Sequence, residues 1–175
     1  MLASIFVGTS LDGFIARHNG KYDFLPADGG EPHGYEEFMA TVDCLVIGRK
    51  TFETVLGFPE WPYGKRQVVV LSRNPLDFSG VPTGALVEQM SGDPSDIYAR
   101  LEERGFKHVY VDGGITAQGF LSAGLIHRIT ITRVPVLIGE GIPLFGSLSR
   151  DVALRHIVTQ TYKSGLVKSE YEVLH

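Results

Sequence analysis

The chain alternates between short, fully apolar runs and stretches with helical periodicity. Residues 2–7 (LASIFV) end at Gly8 and read as a buried strand. The same reading applies to 44–48 (CLVIG), 67–71 (QVVVL), 84–88 (GALVE) and 108–112 (HVYVD). Between them, 35–43 (YEEFMATVD) places Phe38, Met39 and Val42 on one helical face. Ile97 and Leu101 do the same in the helix that Ser95 or Asp93 caps and Gly105 stops. A further short helix follows Gly114, with Ile115, Phe120 and Leu121 expected to face the sheet. Residues 125–139 alternate around Ile129, Ile131 and Val134 as one long strand, and the last stretch alternates again about a "KSG" turn. Strands interleaved with helices and closed by an antiparallel pair predict one α/β domain over 1–175, with a mostly parallel mixed sheet. The polar segment from Thr9 to Gly34 is long for a connection, and such loops more often serve function than merely link.

Charge and composition remove whole classes of function. Sixteen basic against twenty acidic residues leave a net charge of -4, so no global basic field recruits nucleic acid or an anionic membrane. The lone Cys44 rules out a disulfide framework and cysteine-rich zinc sites, which points to a reducing cytoplasm. No apolar run reaches membrane-spanning length. The six histidines show no ligand spacing, so no metal is expected.

The chemistry gathers at strand ends, where open α/β sheets bind ligands and helix N-termini offer free N–H groups. Gly48-Arg49-Lys50-Thr51, Ser72-Arg73-Asn74 and Asp112-Gly113-Gly114 each end an apolar run. A guanidinium beside a serine suits a phosphate monoester, and the three turns together describe a groove for a ligand with several phosphates. No P-loop occurs. "GEGIPLFG" (139–146) has leucine where the third glycine of a dinucleotide fingerprint belongs.

In their order, "TSLDGFIARHNGKYDFL", "VIGRKTFETV", "VVLSRNP" and "VDGGITAQGFLSAGLIHRITITRVPVLIGEGIPLF" resemble the dihydrofolate reductase-like superfamily. Within it the chain is similar to the reductase domain of the bifunctional riboflavin-biosynthesis deaminase-reductase and its stand-alone relatives. The resemblance implies an eight-stranded mixed sheet with flanking helices, NADPH as cofactor, a small-molecule substrate and a homodimer. It assigns Gly48, Arg49 and Thr51, with Lys50, to the cofactor phosphates, and Ser72 and Arg73, after Leu71, to the 2'-phosphate. Gly113 and Gly114, flanked by Asp112, Ile115 and Thr116, match the diphosphate turn. Val7, Gly8, Ile15 and Gly20 match positions beside nicotinamide. The implied reaction is reduction of 5-amino-6-(5-phosphoribosylamino)uracil. The deaminase motif is missing, and His127-Arg128 replaces a common acidic pair.

Two other functions stay open: a dihydrofolate or pterin reductase, and a non-catalytic NADP-binding domain. For a proton donor, Glu36 and Glu37 stand where the resemblance places a carboxylate, although acids in a first helical turn also serve the helix dipole. Arg17, Lys21, Lys65 and Arg66 are candidate holders of a substrate phosphate. Asp12 reads as a turn former beside Gly13.

Overall fold

The computed structural model describes residues 1–26 and 31–175, so residues 27–30 of the long loop after Thr9 lie outside the described residues. Eight strands form one sheet in the order β5-β4-β3-β6-β1-β7-β10-β9. β1 (Leu2–Thr9) lies between β6 (His108–Asp112) and β7 (Arg128–Arg133), parallel to both. On the other side, β3 (Cys44–Gly48), β4 (Gln67–Leu71) and β5 (Leu86–Met90) continue the parallel array. β10 (Val167–Val173) then runs antiparallel to β7, and β9 (Leu154–Thr161) pairs antiparallel at the edge.

The middles of β3, β4 and β6 are apolar at successive positions because helices cover both faces. One face packs α3 (Pro94–Glu103) and α4 (Gly114–Ser122) through Ile97, Leu101, Phe120 and Leu121. The other packs α1 (Tyr35–Thr41) and α2 (Arg49–Leu56) through Met39, Phe52 and Val55. β9, at the edge, is exposed along its whole length. No helix among the described residues is long and apolar enough to cross a membrane.

Several boundaries differ from expectation, each for a local reason. α1 stops at Thr41, where Val42 turns extended to pack into the core. The strand expected over 84–88 begins at Leu86, because Gly84 takes a positive φ in the preceding turn. The long strand expected over 125–139 is paired only from Arg128 to Arg133. Beyond it, Ile142–Pro143 (β8) leaves the sheet to pair with Phe14–Ala16 (β2), a short ribbon inside the supposedly irregular loop. Asp93 occupies the N-cap of α3 without a side-chain hydrogen bond, and Pro94 opens the helix. Ile115 does not face the sheet: it is 79% exposed, since Gly114, Ala117, Phe120 and Leu121 form the buried stripe of α4.

Candidate functional site

Because six strands are parallel, Thr9, Gly48, Leu71, Asp112 and Arg133 end on the same edge of the sheet. Two helices start there side by side. α2 begins at Arg49, directly after Gly48, and α4 begins at Gly114, after Gly113 with φ of 92° and ψ of 134°. The turns interlock. The Thr51 hydroxyl lies 2.7 Å from the place a Cβ on Gly113 would take, and the Thr116 hydroxyl 3.0 Å from that of Gly48. Over Gly114, the same space is occupied by Ile15 Cδ1 at 2.8 Å and by the Pro143 carbonyl at 3.5 Å. The β2–β8 ribbon therefore closes on the turn, which brings Ile15 to the glycine pair. Side chains are excluded from the turn, so backbone N–H groups and two hydroxyls line it, a surface suited to phosphate oxygens.

One strand further out, the Ser72-Arg73-Asn74 turn is braced from within. The Ser72 hydroxyl donates to the Asn74 carbonyl at 2.7 Å. Gln89, on β5, donates to the Ser72 and Asn74 carbonyls at 2.9 Å each and accepts the Leu76 N–H at 3.1 Å. No motif had pointed to Gln89, since an amide in a strand gives no signal until its register places it behind the turn. Arg73 is exposed on this rigid base. Arg49 and Lys50 are exposed too, and Arg49 pairs with Glu53 at 3.3 Å along α2.

The remaining candidates separate. Val7 is half-buried, and at Gly8 the Leu25 side chain comes within 3.2 Å of the Cβ position, so the first loop folds over the end of β1. Gly20 sits at an exposed turn with nothing within 4 Å of its own. Glu36 and Glu37 are exposed on the first turn of α1. Arg17 is bound to Asp23 at 2.7 and 3.1 Å, and Arg66 Nε donates to the Met39 and Val42 carbonyls at 3.0 and 3.1 Å. Asp12 is more than a turn former. It accepts the N–H groups of Ile138 and Gly139, the latter at 2.8 Å, which ties the β1–β2 turn to the segment before β8.

Asp112 is a half-buried carboxyl at the end of β6. Strand alternation puts it on the α1 face with Tyr110, whose hydroxyl donates to the Phe6 carbonyl at 2.7 Å. Burial raises its pKa above the ordinary carboxylate range, while the Gly113 N–H at 2.7 Å and the neighbouring Tyr110 hydroxyl oppose the rise. Tyr35 and Tyr63 are close enough to feel its charge. Burial first, then Asp112, pushes Tyr35 up to about 12, and Tyr63 rises for the same reasons, so both phenols stay protonated. A carboxyl ringed by phenols beside a phosphate-suited turn can hold and release a proton.

Comparison with known proteins gives this arrangement a lineage. Residues 4–168 match the model of the RibD C-terminal domain family. The uncharacterized protein YwjB of Bacillus subtilis is 31% identical over 154 residues, 86% of each chain. The putative riboflavin biosynthesis protein of Shewanella sp. PV-4 superposes with a TM-score of 0.88 at 38% identity, covering 100% of both chains. A dihydrofolate reductase from Enterococcus faecalis, complexed with NADP(H), shares the fold at a TM-score of 0.62 and 23% identity, over 100% of this chain and 95% of that one. With its glycine turns and parallel strand ends inside the matched span, the chain belongs to the RibD C-terminal domain family.

Proposed function

We propose that the chain is an NADPH-dependent reductase that delivers hydride to a small heterocyclic or ribosylamine substrate, of the 5-amino-6-(5-phosphoribosylamino)uracil type. The observation that carries this reading is the interlocked pair of glycine turns at two helix starts, with a half-buried carboxyl immediately before Gly113. Gly48, Thr51, Gly113, Gly114 and Thr116 would hold the diphosphate, and Ser72 and Arg73 the 2'-phosphate. Ile15, Val7 and Gly8 would form the floor beneath the nicotinamide, whose reduced ring supplies hydride when bound.

The protein's own part is placement and a proton. Adding hydride to the carbon of a carbon–nitrogen double bond leaves negative charge on nitrogen, and a neutral carboxylic acid can quench it. Burial favours the neutral form of Asp112, whereas Glu36 and Glu37 face solvent, so Asp112 is the better candidate donor. A pterin reductase relying on Glu36 or Glu37 would lose turnover on changing either to glutamine. The reading adopted here expects that loss from Asp112→Asn instead.

The cofactor assignment is tested by calorimetric titration with NADPH and NADH, for the native protein and Arg73→Ala. Removing a guanidinium–phosphate contact should weaken NADPH by about 1.5–3 kcal/mol and leave NADH nearly unchanged. No binding of either nucleotide at millimolar concentration would refute it.

A further inference from the structure

The alternation of β10 sends every second residue inward, and Lys168 takes one of these positions, with its side chain only 8% exposed. Lysine is almost never buried so far without a partner. Among the described residues its one ion-pair partner is Glu170, at 3.2 Å, which occupies one of three N–H donors. Lys168 stands beside Thr132, and Thr132 beside Gly8, so the three form one row across β10, β7 and β1. The Thr132 hydroxyl in the middle of that row is buried and has no hydrogen-bond partner among the described residues. Two strand spacings, about 10 Å, separate Lys168 from Gly8.

Beside Lys168 opens a pocket of about 560 Å³ lined by Pro32, Gly34, Gln160, Thr161 and Tyr162. Its walls are fastened together, because the Glu31 carboxylate accepts the Ser164 N–H at 3.3 Å and the Ser164 hydroxyl at 3.0 Å. The Lys168 ammonium lies 3.0 Å from the place a Cβ on Gly34 would take. The Tyr162 hydroxyl donates to Gln160 Oε1 at 3.2 Å, which leaves the Gln160 amide N–H groups as donors toward a ligand. A buried ammonium with two N–H donors unpaired among the described residues, flanked by neutral donors in an open pocket of ligand size, suits an oxyanion.

We infer that Lys168 anchors a phosphate monoester of the substrate, about 10 Å along the sheet from Gly8, at the end of β1 where the nicotinamide is proposed to lie. The inference rests on the reductase reading above. That separation is within reach of a sugar phosphate attached at the reacting carbon. Glu170 holds the ammonium in place, but its charge also competes with the incoming anion. Neutralising it should therefore strengthen phosphate binding, a change opposite in sign to that expected of a purely structural pair.

The test is calorimetric titration of the NADPH-loaded protein with ribose 5-phosphate and with ribose. The native protein should prefer ribose 5-phosphate by about tenfold or more. Lys168→Met should erase the preference while NADPH binding reports an intact fold, and Glu170→Gln should tighten ribose 5-phosphate severalfold. Equal binding of the two sugars by the native protein, with NADPH still bound, overturns the inference and leaves the cofactor reading standing. Failure to bind NADPH sinks that reading instead, and the same sugar titrations on the cofactor-free protein then decide Lys168. Should Lys168→Met not fold, acetylation of the native protein read by mass spectrometry replaces it. Slower acetylation of Lys168 with ribose 5-phosphate than with ribose supports the anchor, and equal rates reject it.

Discussion

Replacing Gly113 with alanine tests the interlocked turns directly. The residue holds φ of 92° and ψ of 134°, a conformation essentially confined to glycine, and forcing alanine into it costs about 1–3 kcal/mol. The new Cβ would also stand 2.7 Å from the Thr51 hydroxyl, so that side chain must leave its rotamer at about 0.5–1.5 kcal/mol. Together the loss is about 1.5–4.5 kcal/mol. Urea denaturation at constant m-value reads it. Thr51→Ala in the same chain should restore the steric share and leave the backbone share. Gly20→Ala supplies the control, because Gly20 has φ of 82° and nothing within 4 Å of its Cβ position. It should cost backbone strain alone and show no coupling to Thr51. A loss below about 0.5 kcal/mol for Gly113→Ala, or strict additivity with Thr51→Ala, would refute the contact between the two turns.

Further outcomes follow from Asp112 and Arg66. Asp112 has a folded pKa above its unfolded value, so its contribution to stability is complete below the unfolded value and is lost as pH rises through the folded one. Asp112→Asn should accordingly be more stable than the native protein at neutral pH, with the gap closing in acid, as thermal melts across pH would record. The same change should lower kcat by roughly 10²–10⁴ if Asp112 gives the proton, and an unchanged kcat removes it from the mechanism. Arg66→Ala removes a bifurcated charged hydrogen bond from Nε to the end of α1 and should destabilise by about 1.5–3 kcal/mol. Its effect on ribose 5-phosphate binding should be far smaller than that of Lys168→Met, since the Arg66 guanidinium is committed to backbone carbonyls.

What the sequence made legible was the part of the fold that local pattern determines. β3, β4 and β6 are buried on both faces through their middles, and the turns that end them announce themselves by glycine after β3 and β6 and by Ser72 and Pro75 after β4. The phase of α4 was not legible because its apolar residues surround the helix. Only packing against the sheet selects Ala117, Phe120 and Leu121 over Ile115. The end of β7 was hidden because alternation persists past Arg133 while the partner strands do not. Arg17 and Arg66 looked available as free cations, but their hydrogen bonds come from Asp23 and from the end of α1, contacts no spacing reveals. Lys168 carries no signal in the sequence, and only its register beside Thr132 and its burial mark it.

The reversal of direction at β10 explains why the two halves of the groove differ in material. Parallel strands bring their carboxyl ends to the ligand edge, where the chain passes straight into a helix, and that junction is made of glycine and backbone N–H groups. β10 runs the other way, so it brings its beginning to the same edge, just after the turn at residues 162–165. Lys168 enters there as a side chain on a strand, and the facing wall, from Glu31 to Gly34, is secured by one carboxylate to that turn. A backbone-built half must keep its shape to hold any dinucleotide, so its tolerance for change is low. A half built from side chains on an edge hairpin can change residue by residue without disturbing the parallel strands. Selectivity among small-molecule substrates should therefore be concentrated in β9, β10 and the segment that covers them, while changes at Gly48, Thr51 or Gly113 should impair every substrate alike.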